Sequence, residues 1–142
     1  RRVTSTSASM GDLTARLAKV TDDDMREMFA AADVMMQPYS ARTARMRITS
    51  IVDNGDGNAR VAWSDAYLMT PYSKDTILSV PDGIISSPGS VILSEVEYNY
   101  DGALGGFLTN DKKLRSHFYL RPRRVREIER VSGSGGAFGP TS

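Results

Sequence analysis

The sequence predicts an α+β domain, with N-terminal helices laid on an antiparallel sheet of about four strands. Three observations lead there. Residues 91–124 read as two strands whose apolar and polar side chains alternate, residues 25–36 carry apolar side chains at helical spacing, and residues 45–64 read as a hairpin. The chain has 142 residues, 40% hydrophobic and 25% charged, which suits one modest domain with one core. It has no cysteine, so a disulfide framework and a thiolate metal site are both excluded.

Residues 1–10 are polar and small, and show no amphipathic pattern of their own. They open on Arg1-Arg2, the start expected either from a trimmed upstream segment or from a cut at a domain boundary. From Asp12, Leu13, Leu17 and Val20 fall at i, i+4 and i+7, which predicts a short amphipathic helix. Thr21 followed by Asp22, Asp23 and Asp24 is a helix start: the threonine oxygen accepts from an amide three residues on, and acids suit the positive end of the helix dipole. The helix that follows places Met25, Met28, Phe29, Ala32, Met35 and Met36 on one stripe and stops before Pro38. A methionine-rich face suits either a sheet to cover or a partner helix; covering the sheet is the general rule for an apolar stripe.

In the hairpin, Met46, Ile48, Ser50 and Val52 alternate with Arg45, Arg47, Thr49 and Ile51, and Val61 and Trp63 alternate with Arg60, Ala62 and Ser64. Trp63 reads as core, with an indole N–H that needs an acceptor. The turn Asp53-Asn-Gly-Asp-Gly-Asn58 superficially suggests a calcium loop. However, Gly55 and Gly57 stand where oxygen ligands belong, and Ser64 stands where the glutamate belongs. Prolines at 71, 81 and 88 break residues 65–90 into a long irregular connection, in which Thr76–Val80 suits a helical turn.

Along 91–100, Ile92, Val96, Tyr98 and Tyr100 share one parity and Glu95, Glu97 and Asn99 the other, so one face is expected to be buried and the other wet. Leu114, Ser116, Phe118 and Leu120 then alternate with Arg115, His117, Tyr119 and Arg121 until Pro122 ends the pairing. Tyr98 and Tyr100 read as core by their parity. The linker between these strands carries Gly105, Gly106, Phe107 and Leu108, which either contact a partner or fold back on the sheet edge. Residues 131–142 are rich in glycine and serine and read as a flexible tail after a domain spanning 11–130.

Charge is unevenly placed. Between Lys112 and Arg130 there are eight basic residues against two glutamates, a net +6 in a chain of net +1, which leaves −5 elsewhere. Arg121, Arg123 and Arg124 are the centre of this basic segment; the acids interleaved with it weaken a nucleic-acid reading. The lone His117 has neither a cysteine nor a second histidine to work with, no nucleophile elbow is present, and no glycine motif fits a phosphate. Neither catalysis nor a cofactor is expected.

Several signatures fall in a familiar order: Met36-Gln-Pro-Tyr39, Ile48-Thr-Ser-Ile51, Val61-Ala-Trp-Ser64, Ser94-Glu-Val-Glu-Tyr-Asn-Tyr100 and Phe118-Tyr-Leu-Arg-Pro-Arg123. Over about Leu13 to Arg124 the chain resembles the TadE/TadG-like minor pilins (pseudopilins) of the bacterial tight-adherence (Tad) pilus system. The resemblance implies a pilin-like fold and a structural part for Trp63, Ser64, Glu95, Tyr98, Tyr100 and Pro122. It also implies an inner-membrane helix upstream, of which residues 1–10 would be the end, and a periplasmic or pilus-borne domain. The implied function is assembly of the pilus and so surface adhesion, through contacts with other pilus subunits and the assembly machinery. Candidate contacts are Gly105, Gly106, Phe107, Leu108, Arg121, Arg123 and Arg124. The other readings are an independent exported adhesin or ligand-binding module and, less favoured, a small nucleic-acid-binding domain.

Overall fold

The computed structural model describes residues 2–36, 44–86, 88–99, 113–131 and 135–138. Helix α1 (Arg2–Ala15) leads through the two-residue strand β1 (Lys19–Val20) to helix α2 (Asp22–Met36). Strands β2 (Ala44–Asp53), β3 (Arg60–Tyr67), β4 (Gly89–Asn99) and β5 (Lys113–Leu120) follow, then the short β6 (Glu129–Arg130) and β7 (Ala137–Phe138). The main sheet has five strands in the order β5-β4-β2-β3-β7 rather than about four; its first four neighbour antiparallel and β7 lies parallel to β3. β1 and β6 form a separate parallel pair. The class is α+β.

α2 begins as its sequence dictates. The Asp24 amide donates to Thr21 Oγ1 at 3.0 Å and the Thr21 amide to Asp24 Oδ2 at 2.9 Å, a reciprocal cap that satisfies two amides left free by the first turn. Its stripe of Met25, Met28, Phe29 and Ala32 is buried with Met46, Ile48, Trp63, Ile92 and Val96 from one face of the sheet. Phe29 packs on the rings of Tyr67 and Phe138 at 5.8 and 5.7 Å between centroids. The Trp63 indole N–H finds its acceptor in the Ile128 carbonyl at 2.8 Å.

α1 differs from the sequence expectation. It ends at Ala15, Leu13 is 42% exposed, and Val20 lies in β1. Beside Met10, which joins the main core, the face it buries carries Thr6, Ser7, Gly11, Thr14 and Ala15, small side chains that leave the apolar count low. These residues let the helix backbone approach β4 and β5 closely. Ser7 donates to Ser116 Oγ, Ser94 donates to the Ser7 carbonyl, both at 2.8 Å, and a Cβ on Gly11 would lie 2.3 Å from Leu120 Cδ1. Ser7, Ser94 and Thr14, whose hydroxyl donates to the Met10 carbonyl at 2.9 Å, are hydrogen-bonded there, which makes their burial tolerable, whereas the buried Thr6 hydroxyl has no partner among the described residues.

The opposite face of the sheet is not uniformly wet. The connection 68–88 crosses one half of it, setting Leu78, Val80, Ile84 and Ile85 over Ile51, Val91 and Leu93 as a second small core. Thr76–Val80 is extended rather than a helical turn: the Val61 amide donates to the Thr76 carbonyl and the Leu78 amide to the Ala59 carbonyl, both at 2.9 Å. Part of the segment expected to be a flexible tail also joins the sheet, since β7 pairs with Ala66 and Tyr67 of β3. Gly135 makes this possible, with φ at +94°, and a Cβ there would clash with the Ser64 carbonyl oxygen.

Candidate interaction surface on the outer face of the sheet

The half of the outer face left bare by the connection carries charge. Register sets it in two rungs across three strands: Arg45 of β2, Glu97 of β4 and Arg115 of β5 stand side by side, as do Arg47, Glu95 and His117. Alternation put these side chains outward, and the β2–β4 pairing brought opposite charges together.

Arg47 is the centre of the second rung. Its Nε and Nη2 donate to the two Glu95 oxygens at 2.8 and 3.1 Å, a bidentate fork, while Nη1 donates to the Thr70 carbonyl and Nη2 to the Tyr72 hydroxyl, both at 2.9 Å. The guanidinium lies 3.9 Å from the Tyr72 ring centre. Burial works against the Arg47 charge, but the hydrogen bond and charge of Glu95, aided by Tyr72, outweigh it and raise its pKa above the ordinary value. In the first rung Glu97 takes Arg115 Nε at 2.8 Å and, more loosely, Arg45 Nη1 at 3.8 Å. His117 is exposed and meets the Tyr119 ring edge-on at 5.8 Å. Burial, then the Glu95 charge, push the Tyr119 phenol up.

Two adjoining depressions follow these rungs. One of about 310 Å³ is lined by Arg47, Glu97, Arg115 and Ser116; the other, of about 210 Å³, by Tyr72, Leu78, Val80 and Tyr119; Glu95 and His117 border both. At the sheet edge, β5 has β4 on one side and no strand on the other among the described residues. Every second residue of such a strand turns its amide and carbonyl away from the sheet.

A second ionic cluster is sealed inside. Arg130 Nε and Nη2 donate to the two Asp65 oxygens at 2.9 Å each, Nη2 also reaches Asp22 Oδ1 at 2.6 Å, and the Gly136 amide donates to Asp65 Oδ1 at 3.2 Å. The Arg130 side chain is 2% exposed and that of Asp65 0%. The hydrogen bond that Arg130 donates to Asp65 does most to hold the Arg130 pKa far above its ordinary value, against the effect of burial. Nothing in the sequence singled out this pair, because 65 positions separate its members. The one local hint is that Arg130 precedes Val131 and shares strand parity with the apolar Ile128.

The residues singled out from the sequence scatter over the molecule. Trp63 and Ser64 are buried, and Ser64 Oγ shares a hydrogen bond with Thr49 Oγ1 at 2.9 Å and accepts from the Tyr72 amide at 3.1 Å. Glu95 belongs to the charged rungs, Tyr98 lies in β4, and Pro122 follows the end of β5. Arg123 is tied to Asp12 at 2.6 Å, Arg121 donates to the Gly83 carbonyl at 3.3 Å, and Arg124 is exposed. The basic segment is therefore partly neutralised from within, through Arg115, Arg123 and Arg130. Gly105, Gly106, Phe107, Leu108 and Tyr100 lie outside the described residues. Among the described residues no cluster of acidic or histidine side chains is arranged to hold a metal ion, and no helix is long and apolar enough to cross a membrane.

No protein-family model matches this chain, and no curated protein or solved structure matches it either.

Proposed function

We propose that this chain is a minor pilin-like subunit that supports assembly of a Tad (type IV-like) pilus, and so surface adhesion, through protein–protein contacts. The reading includes a pilin-like fold with N-terminal helices packed on the antiparallel sheet. The observation that carries the assembly role is the surface available: a charged, partly uncovered sheet face running out to the bare edge of β5. Such an edge offers backbone hydrogen bonds to an extended segment of another polypeptide. The motifs that carry the family resemblance support it: Val61-Ala-Trp-Ser64 lies in β3 and Ser94-Glu-Val-Glu-Tyr98 in β4.

The test is deletion of this gene in the source bacterium, with pili counted by electron microscopy. Pili are expected to be lost and to return only when the chain is restored with a hydrophobic segment upstream. Normal pili after deletion would overturn the assembly role. One observation favours a second reading, an independent adhesin or ligand-binding module: Tyr72, Glu95, His117 and Tyr119 frame a depression of about 210 Å³. Aromatic faces beside a carboxylate suit a small polar ligand such as a sugar. Saturable sugar binding by a strain with normal pili would favour it.

A further inference from the structure

We infer that the free edge of β5 is a strand-addition site for an extended segment of another protein, with acidic residues at every second position. The inference rests on the assembly reading only in supposing a protein partner; it adds the partner's chemistry and geometry.

The capacity for pairing comes from the backbone. β5 runs for eight residues, Lys113–Leu120, and pairs only with β4 among the described residues. Its outward amides and carbonyls supply one ladder's worth of hydrogen bonds. Among the described residues the other side of the sheet offers no edge of that length, because β3 is met at one end by β7 and at the other by the extended Asp75–Leu78 segment.

The charge preference comes from the side chains. Arg115 and His117 share one parity, are both exposed, and stand on the uncovered half of the face; Arg121, one residue past β5, is exposed and donates to the Gly83 carbonyl of the connection. β4 already shows what pairs well with this strand, since it sets Glu97 opposite Arg115 and Glu95 opposite His117. A strand added on the free side meets the same two positions from the opposite direction, and opposite charge across a strand pair is favourable while like charge is not. Arg115 remains 69% exposed despite its contact with Glu97, so it can serve a second carboxylate. The adjoining depression of about 310 Å³, lined in part by Arg47, Glu97, Arg115 and His117, gives room beside the edge for the incoming side chains. A second copy of the same strand is a poor occupant, because it brings lysine, arginine and histidine and no carboxylate to meet Arg115.

The test uses the whole chain and two synthetic eight-residue peptides, one alternating glutamate with valine and threonine, the other with lysine at the glutamate positions. Binding is read by fluorescence anisotropy, and its location by amide hydrogen exchange. The glutamate peptide is expected to slow exchange in β5 and to bind at least about tenfold more tightly than the lysine peptide. Arg115→Glu, at an exposed position, should reverse or erase that preference while leaving the circular dichroism spectrum unchanged. The inference is overturned if millimolar glutamate peptide leaves β5 exchange unaltered, if both peptides bind alike, or if protection falls on β3 and β7 instead. Dimerisation of the chain with β5 protected would assign the edge to a second copy and overturn it too. Peptide binding in a strain whose pili survive deletion would sink the pilus reading alone; pilus loss without peptide binding would sink only this inference.

Discussion

The molecule holds two ionic clusters built from the same kinds of group and put to opposite uses. At Arg130 and Asp65 a guanidinium and a carboxylate are closed off from water, Asp22 joins them from the half-exposed start of α2, and the contacts tie β3, α2, β6 and the backbone before β7 into one unit. Around Arg47, Glu95, Glu97 and Arg115, comparable pairs lie across three strands of an open face. The difference is desolvation. A sealed pair has lost its water and has only its partners, so each member depends on the others; an open pair can exchange a partner for water or for another chain at little cost. The first cluster therefore belongs to the fold and the second to the surface.

The largest expected effect tests the sealed side. Asp65→Ala leaves the buried Arg130 with Asp22, itself half exposed, as its remaining carboxylate. Loss of one partner from a buried pair costs about 3–5 kcal/mol, a large share of the ~5–15 kcal/mol that stabilises a domain of this kind. Urea unfolding measures it. Replacing both members, Asp65→Leu with Arg130→Met, is expected to recover most of the loss, because no charge is then stranded. A loss below about 1 kcal/mol for Asp65→Ala would mean that water reaches the cluster and that the two regions are not distinct.

An intermediate effect is expected at Arg47, which shares features of both. Its side chain is 14% exposed and its hydrogen bonds reach Glu95, Thr70 and Tyr72, so it anchors the start of the connection 68–88 to the sheet. Arg47→Ala should cost about 1–3 kcal/mol, the range for hydrogen bonds to charged groups. Hydrogen exchange should quicken in residues 70–80 before the rest of the sheet. Uniform quickening across the sheet would place Arg47 with the sealed cluster.

How much of this was legible in the sequence depended on whether the deciding contact was local. The hairpin, the α2 cap and the buried part of the methionine stripe, Met25, Met28, Phe29 and Ala32, follow from residues a few positions apart. A bulge opposite Ser50 and Ile51 nevertheless breaks the alternation expected of Val61 and Trp63, and Trp63, read as core from its type, finds its acceptor 65 positions away. α1 was misplaced because its buried face is serine, threonine and glycine, which pack by close approach and hydrogen bonding rather than by apolar area. β7 was hidden by its glycine-serine surroundings, and its hold comes from distant groups: Phe29, Asp65 and the backbone of β3. The charged rungs were half visible. Alternation placed Glu95 and Glu97 on one face, yet the arginines opposite them on β2 appear only once β4 is known to lie beside β2.

The smallest effect is the most telling for the open side. Arg115→Ala removes a 2.8 Å contact with Glu97, but the arginine is mostly in water, and Glu97 keeps Arg45 at 3.8 Å as a second cation. Exposed pairs contribute about 0.2–1 kcal/mol, and the Debye length falls to about 3 Å at 1 M salt. The destabilisation should therefore be under about 1 kcal/mol in dilute buffer and vanish at 1 M sodium chloride, read as the shift in urea midpoint. Asp65→Ala should keep most of its effect at the same salt, since ions cannot enter a sealed cluster. If the Arg115 effect survived high salt, the open rungs would be part of the structural frame. The β5 edge would then be less free to exchange Glu97 for the carboxylates of another chain.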